Sequence, residues 1–149
     1  IKQIKQATLN TSTSTTTHAS FVDTGLQVVI TPSSTNSKIL LSAEGVLCSG
    51  AGWYQAMTID RNGTNIGISV SHGASFPTTL LWMHTDGGGS NPSIDNFAFT
   101  KLDSPSSTSA LTYKLQFTVT NGGTSYLGRR SGDTNLICPT YLTAMEIAG

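Results

Sequence analysis

Charge is scarce in this sequence of 149 residues. Eight Lys and Arg are balanced by eight Asp and Glu, for a formal net charge of zero and a charged fraction of 11%, against roughly 25% in an ordinary soluble domain. With no basic excess, the chain as a whole offers nucleic acid no phosphate-directed attraction. Long apolar runs are missing too. None approaches the roughly 18 residues of a spanning helix, so no membrane insertion by a helix is expected. The opening run Ile1-Lys2-Gln3-Ile4-Lys5-Gln6 lacks the apolar core of a signal peptide. Ile rather than Met at position 1 is what a chain excised from, or processed out of, something longer begins with.

Cysteine is limited to Cys48 and Cys138. Two cannot build a zinc site alone or a disulfide-dense scaffold. Each flanks a strand-like run, so the expectation is a pair of semi-buried free thiols. A disulfide requires the fold to bring the two within about 7 Å between Cα atoms.

What is abundant is Ser and Thr, 42 together, with 15 Gly. Such polarity without apolar partners would mean disorder. Here, however, 23 Thr residues sit among periodic Val, Ile, Leu, Phe and Tyr, and Thr favours strands. The length fits one domain able to bury roughly 70% of the surface its unfolded chain exposes.

Strand signals recur along the chain. The tract Asn10–Thr17 reads as a linker or an exposed strand with Thr on both faces. Phe21-Val22 leads to an expected turn at Asp23-Thr24-Gly25, after which Leu26, Val28 and Ile30 alternate up to Pro32. Residues 38–47 have apolar residues on both faces and read as a strand covered on both sides. Trp53 to Asp60 runs into Asn62-Gly63, and Ile66, Ile68 and Val70 come back out. An Asn-Gly pair between alternating runs predicts a hairpin with a type I′ turn. Strands are also predicted over 78–84, 94–102, 111–119, 124–127 and 140–147. In the 111–119 run every odd residue is apolar and every even one polar. No window carries a 3.6-residue pattern. Eight to ten short strands separated by turns predict an all-β antiparallel sandwich or barrel. A hydrophobic strand at the C-terminus must pair inside a sheet.

Several segments together carry a resemblance: Ser20-Phe21-Val22-Asp23-Thr24-Gly25-Leu26, Ile30-Thr31-Pro32, Ser37-Lys38-Ile39-Leu40-Leu41, Arg61-Asn62-Gly63-Thr64-Asn65-Ile66-Gly67 and Leu142-Thr143-Ala144-Met145-Glu146-Ile147-Ala148-Gly149. They are similar to bacteriophage virion proteins, especially marine cyanophage tail-fibre or head-fibre-like proteins. The motifs are turn and strand signatures, not active-site signatures. The resemblance implies a jelly roll that assembles as a trimer and is similar in shape to the head domains of the tumour necrosis factor and C1q type. It divides the chain into a connector or first-strand segment, 1–18, and a jelly-roll head domain, 19–149. It supplies no catalytic residue.

His72, His84 and Asp86 have metal-ligating chemistry, but His72 beside Gly73 reads as a loop residue and His84 as a strand-end residue, so no metal and no cofactor are expected. Likewise the Asp86–Asp95 loop has oxygen donors but not the spacing of an EF-hand. His18 is expected to be exposed. Most carboxylates fall at turns, where Asp bonds its own backbone. Glu44 and Glu146 are the strand carboxylates, and no Gly-x-Ser-x-Gly elbow occurs. The chain is expected not to be an enzyme. Aromatic platforms suit a receptor or glycan: Trp53 and Tyr54 after a Gly-rich stretch, and Trp82 near His84. Tyr126, Arg129 and Arg130, with Asp133 and Asn135, form the one local charge cluster, suited to an acidic glycan or a neighbouring subunit.

The sequence-level expectation is therefore a non-enzymatic virion component that trimerises through apolar and Thr-rich sheet faces. Low charge leaves little repulsion between copies. The N-terminal segment would join the head to other virion proteins, and exposed loops would contact a host cell-surface glycan. The rivals are a capsid-decorating protein and a glycan-cleaving enzyme.

Overall fold

A computed structural model describes residues 1–49, 53–67, 79–84, 93–120 and 122–149. Among these there is no helix, and eleven strands form two antiparallel sheets. They are β1 (Gln3–Leu9), β2 (Thr13–Thr15), β3 (Val22–Ile30), β4 (Lys38–Ser49), β5 (Tyr54–Arg61), β6 (Thr64–Asn65), β7 (Leu81–His84), β8 (Asp95–Asp103), β9 (Leu111–Val119), β10 (Ser125–Leu127) and β11 (Thr140–Ile147). The first sheet runs β1-β11-β4-β8, with β10 and β2 beside the far end of β4. The second runs β3-β9-β5, with β6 and β7 along the outer flank of β5. The chain passes from one sheet to the other between β3, β4, β5, β8, β9 and β10, and the first strand lies beside the last. This is the all-β jelly-roll-like sandwich that the strand pattern implies.

Alternation accounts for the two layers. Leu111, Tyr113, Leu115, Phe117 and Val119 of β9 point inward and are buried, while Thr112, Lys114 and Gln116 are half-exposed. They meet Ile39, Leu41 and Leu47 of β4, Met57 and Ile59 of β5, and Leu142 and Ala144 of β11 in one core. The expected covering of both faces of β4 is partial: Leu40 and Val46, on its outer side, are half-buried.

Two turn signals resolve differently. Asn62 and Gly63 have φ of 50° and 88°, as a type I′ hairpin requires. The return arm is β6, followed by Ile66, whose N–H bonds to the Ile59 carbonyl at 2.9 Å; Ile68 and Val70 lie outside the described residues. At Gly25, with φ of 89°, the expected turn is instead a β-bulge inside the continuous strand β3, where the register against β9 shifts between Asp23 and Gln27. Thr24 repairs the interrupted ladder. Its hydroxyl donates to the Leu115 carbonyl at 2.8 Å and accepts from the Leu26 N–H at 3.2 Å. A left-handed glycine serves a turn or a bulge equally well, so the residue type alone does not choose between them.

Residues 1–18 contribute β1 and β2 to the first sheet, so the Thr tract is partly strand. Strand β7 begins at Leu81, preceded by Thr79, whose hydroxyl donates to the Met57 carbonyl at 2.7 Å.

Candidate functional site

Outward-facing side chains of the first sheet fall into rows set by strand register. Ile4 lies opposite Met145, Met145 opposite Leu40, and Leu40 opposite Leu102. Inward neighbours such as Ala144 and Leu41 are in the core, so this row points out. It forms an apolar band across four strands, with Ile4 56% and Leu102 46% exposed. The next outward row is polar: Gln6, Thr143, Ser42 and Thr100. Gln6 Nε2 donates to Thr143 Oγ1 at 2.9 Å. A third row is Thr8, Tyr141, Glu44 and Ala98.

Beyond that row the sheet opens. Strand β11 flanks β4 only up to Glu44, and β10 takes over from Leu47. Between them the Gly128 N–H bonds to the Val46 carbonyl and the Cys138 N–H to the Gly128 carbonyl. Cys138 and Pro139, just before β11, wall a groove of about 620 Å³ here against Glu44, Val46, Asn96 and Tyr141. A smaller one of about 340 Å³ lies beside it, between Ile94, Arg130, Asp133 and Leu136. Cys138 borders both.

On the second sheet, Tyr54 of β5 faces His84 of β7 directly, and Trp82 lies opposite Ala56, one outward position along. The small Ala56 leaves the indole room to reach Tyr54. Tyr54 and Trp82 stack with centroids 4.7 Å apart and planes 14° from parallel, and Tyr54 and His84 lie 4.5 Å apart and tilted. Tyr54 is 39% and Trp82 41% exposed.

The sequence candidates therefore separate. Trp53 has the inward parity of Gln55 and Met57 and packs on the turn after β9, where a Cβ on Gly123 would come within 2.7 Å of its ring. It does not share a face with Tyr54. Tyr126 and Arg129 do meet, with the guanidinium 4.5 Å from the ring centroid. Arg129 also donates to the Arg130 carbonyl at 3.1 Å and the Asp133 carbonyl at 3.4 Å, so it holds its own loop. Arg130 is exposed beside the smaller groove. Backbone N–H groups of Asn135 and Leu136 bond the Asp133 carboxylate and hold its pKa below the usual range.

Both thiols are free, Cys48 buried and Cys138 exposed. Burial pushes the Cys48 thiol up, against a weaker opposing contribution from the Ser131 N–H. His18 is exposed, its Nδ1 3.3 Å from the Val119 carbonyl. His72, Asp86 and Asn91 lie outside the described residues, and among the described ones no three His, Cys, Asp or Glu gather at ion-binding range.

Glu44 and Glu146 do not meet. Glu44 faces outward opposite Tyr141, whereas Glu146 points inward opposite Ile39. Glu146 has no exposed surface, yet its cover is a shell of polar groups and not the apolar core. Gln3 Nε2 donates to Oε2, while Ser33 N, Ser33 Oγ and Ser37 Oγ all donate to Oε1, each at 2.7 Å. These bonds, that of Gln3 foremost, lower its pKa to about 2. The arrangement ties β1 and the β3–β4 connection to β11. Nothing in the sequence spacing joins these residues, which only the strand register brings together.

Gln55 crosses the core to the first sheet. It pairs with Ser125 Oγ, and its amide is satisfied when nitrogen faces the Cys48 carbonyl at 3.1 Å and oxygen the Ser49 N–H at 3.3 Å.

Compared with family models and with curated proteins, the sequence matches none. Among solved structures it is similar to one of infectious bursal disease virus, Gx strain, at 13% identity and a TM-score of 0.39, over 99% of this chain and 38% of that one. A structure of the Gt strain gives 14% identity and a TM-score of 0.33, over 95% and 35%. The chain thus spans well under half the length of those it matches. A likeness this distant carries nothing about function, and the fold stands on the strand pairing itself.

Proposed function

We propose that this chain is a non-enzymatic structural protein of a virion, a jelly-roll head domain that assembles as a trimer and takes part in host attachment. The observation that carries the self-association is the apolar band Ile4–Met145–Leu40–Leu102 on the outer face of the first sheet, in a chain with no net charge and a charged fraction of only 11%. The virion setting is supported by the phage-like turn and strand segments of the sequence. The first strand lying beside the last, with successive strands crossing between sheets, supports the tumour necrosis factor-type comparison.

Magnitudes bound the assembly. Full burial of a side chain of this size yields ~1.5–3 kcal/mol, and with Ile4 and Leu102 about half exposed and Leu40 and Met145 less so, the band offers ~2–5 kcal/mol per copy. Association costs about 4–15 kcal/mol. The band therefore needs the neighbouring Thr-rich row to be buried as well, and the assembly should depend on concentration. The non-enzymatic part is supported by the buried carboxylates among the described residues, Glu146, Asp60 and Asp103, each of which accepts from structural donors.

Labelled antibody against the chain, applied to intact particles, tests the role. Labelling at fibre tips agrees with attachment; labelling over the capsid alone favours a decorating protein and overturns it. Release of oligosaccharide from host polysaccharide by the purified chain overturns the non-enzymatic part.

A further inference from the structure

We propose that β8 pairs antiparallel with β8 of a second copy, about a symmetry axis through Ala98 that sets Asp95 of each strand against Lys101 of the other. This contact goes beyond the trimer proposed above. It uses the edge of the first sheet and not its outer face.

Among the described residues β8 pairs only with β4. In an antiparallel ladder alternate residues turn their N–H and C=O groups to one neighbour, and the others turn them away. An edge of nine residues is therefore a template for a further strand. Its inward side chains are Asp95, Phe97, Phe99, Lys101 and Asp103, by their register on Leu47, Gly45, Ala43, Leu41 and Ile39 of β4. Asp103 is held by Arg61 and Tyr113. Asp95 and Lys101 are half-buried and have no ion-pair partner among the described residues. Inward-pointing charges at an edge keep foreign strands off, because a strand without the opposite charge would desolvate them unpaired.

Register makes a second copy the strand that fits. With Ala98 on the axis, both Asp95–Lys101 pairs form, Phe97 meets Phe99 and Asn96 meets Thr100. Just beyond the strand, Ile94 meets Leu102, two side chains that are 41% and 46% exposed in the single chain. Moving the axis to Phe99 sets Asp95 against Asp103, and moving it to Phe97 sets Asp95 against Phe99 and Lys101 against Ser93. Opposite charges directly across a ladder favour pairing and like charges oppose it. The backbone bonds supply the affinity and the side-chain pairs the specificity. An edge ~30 Å long on a layer ~10 Å thick presents ~300 Å², short of the ~800 Å² per partner of a stable interface. The contact is accordingly transient between free chains, and the trimer remains the main species in solution.

Disulfide trapping in the full chain carrying Cys138→Ser tests the register. Ala98→Cys puts a thiol opposite its own equal, at about 4.5–5.5 Å between Cα atoms, within disulfide reach. Thr100→Cys, equally outward and exposed, stands about 13 Å along the strand from its equal. Under mild oxidation Ala98→Cys should form linked pairs at least about tenfold faster than Thr100→Cys, with unchanged circular dichroism. A mixture of Asn96→Cys and Thr100→Cys chains should link as Ala98→Cys does. Adding Lys101→Asp should slow the Ala98→Cys linkage about threefold or more, and adding Asp95→Lys to that variant should restore it. If Lys101→Asp does not fold, Asp95→Lys alone creates the matching repulsion. The proposal is overturned by equal linkage at positions 98 and 100, by folded single charge variants that link as fast as their parent, or by a double charge variant no faster than the single. Linkage in this register by a chain that otherwise sediments as a monomer supports the edge contact and removes the trimer instead.

Discussion

Arg61 on β5 places Nη1 2.8 Å from both carboxylate oxygens of Asp103 on β8, joining the two sheets where these strands end. The buried Tyr113 hydroxyl donates to Oδ2 of the same carboxylate at 2.8 Å. Burial, the bond to Asp103 and the charge of Asp103 all hold this phenol protonated, with its pKa far above the ordinary 10.0. Tyr113→Phe should cost about 1.5–3 kcal/mol, the range for a hydrogen bond to a charged group, read from urea unfolding at neutral pH. Because the folded pKa is the higher one, Tyr113 contributes stability that is full below pH 10.0 and falls as pH rises above it. Absorbance at 295 nm should find Tyr113 un-ionised at alkaline pH until the chain unfolds. Ionisation of all four tyrosines before unfolding would refute this.

Glu146 acts at the other end of the pH scale. Its pKa is lowered from 4.5 to about 2, so the folded state favours the carboxylate. The stability it contributes is present above pH 4.5 and is lost as pH falls towards 2. Glu146→Gln should lower the thermal midpoint at neutral pH and flatten its dependence on pH within that window. An unaltered acid slope would show that the Ser33, Ser37 and Gln3 bonds do not bias the carboxylate.

Gly123 leaves no room for a side chain. A Cβ there would come within 2.7 Å of Trp53 and 2.8 Å of Val119. Gly123→Ala should destabilise by about 1–3 kcal/mol through overpacking and shift the fluorescence of Trp53, whereas a neutral effect would mean Trp53 does not pack on this turn.

The two thiols should react unequally. A soluble disulfide reagent should modify Cys138 at once and Cys48 only on unfolding, because Cys48 is buried and its pKa raised. Rapid modification of both would contradict the packing of the 128–140 segment over β4.

Much of the fold was legible in the residues. The strict alternation of 111–119 gave strand β9 with its inward face, and Asn62-Gly63 gave the hairpin because few other pairs reach its dihedral angles. Gly25 misled, since a bulge and a turn require the same backbone. The surface sites were legible only as residue types. Trp53 and Tyr54 look like one aromatic pair in sequence, but alternation sends them to opposite sides, and Tyr54 finds Trp82 and His84 through the register of β5 on β7. The Ile4–Leu102 band and the Glu146 network have the same origin, cross-strand placement between segments far apart in the chain.

Self-association through the first sheet is tested most directly by sedimentation equilibrium of the wild type and of Leu102→Lys, an exposed substitution that places a charge in the band without touching the core. The wild type should approach three times 15.6 kDa at high micromolar concentration and fall on dilution. Leu102→Lys should remain folded and sediment as a monomer under the same conditions. A wild type that stays at 15.6 kDa throughout, or a Leu102→Lys chain that assembles as the wild type does, would remove the band as an interface between copies.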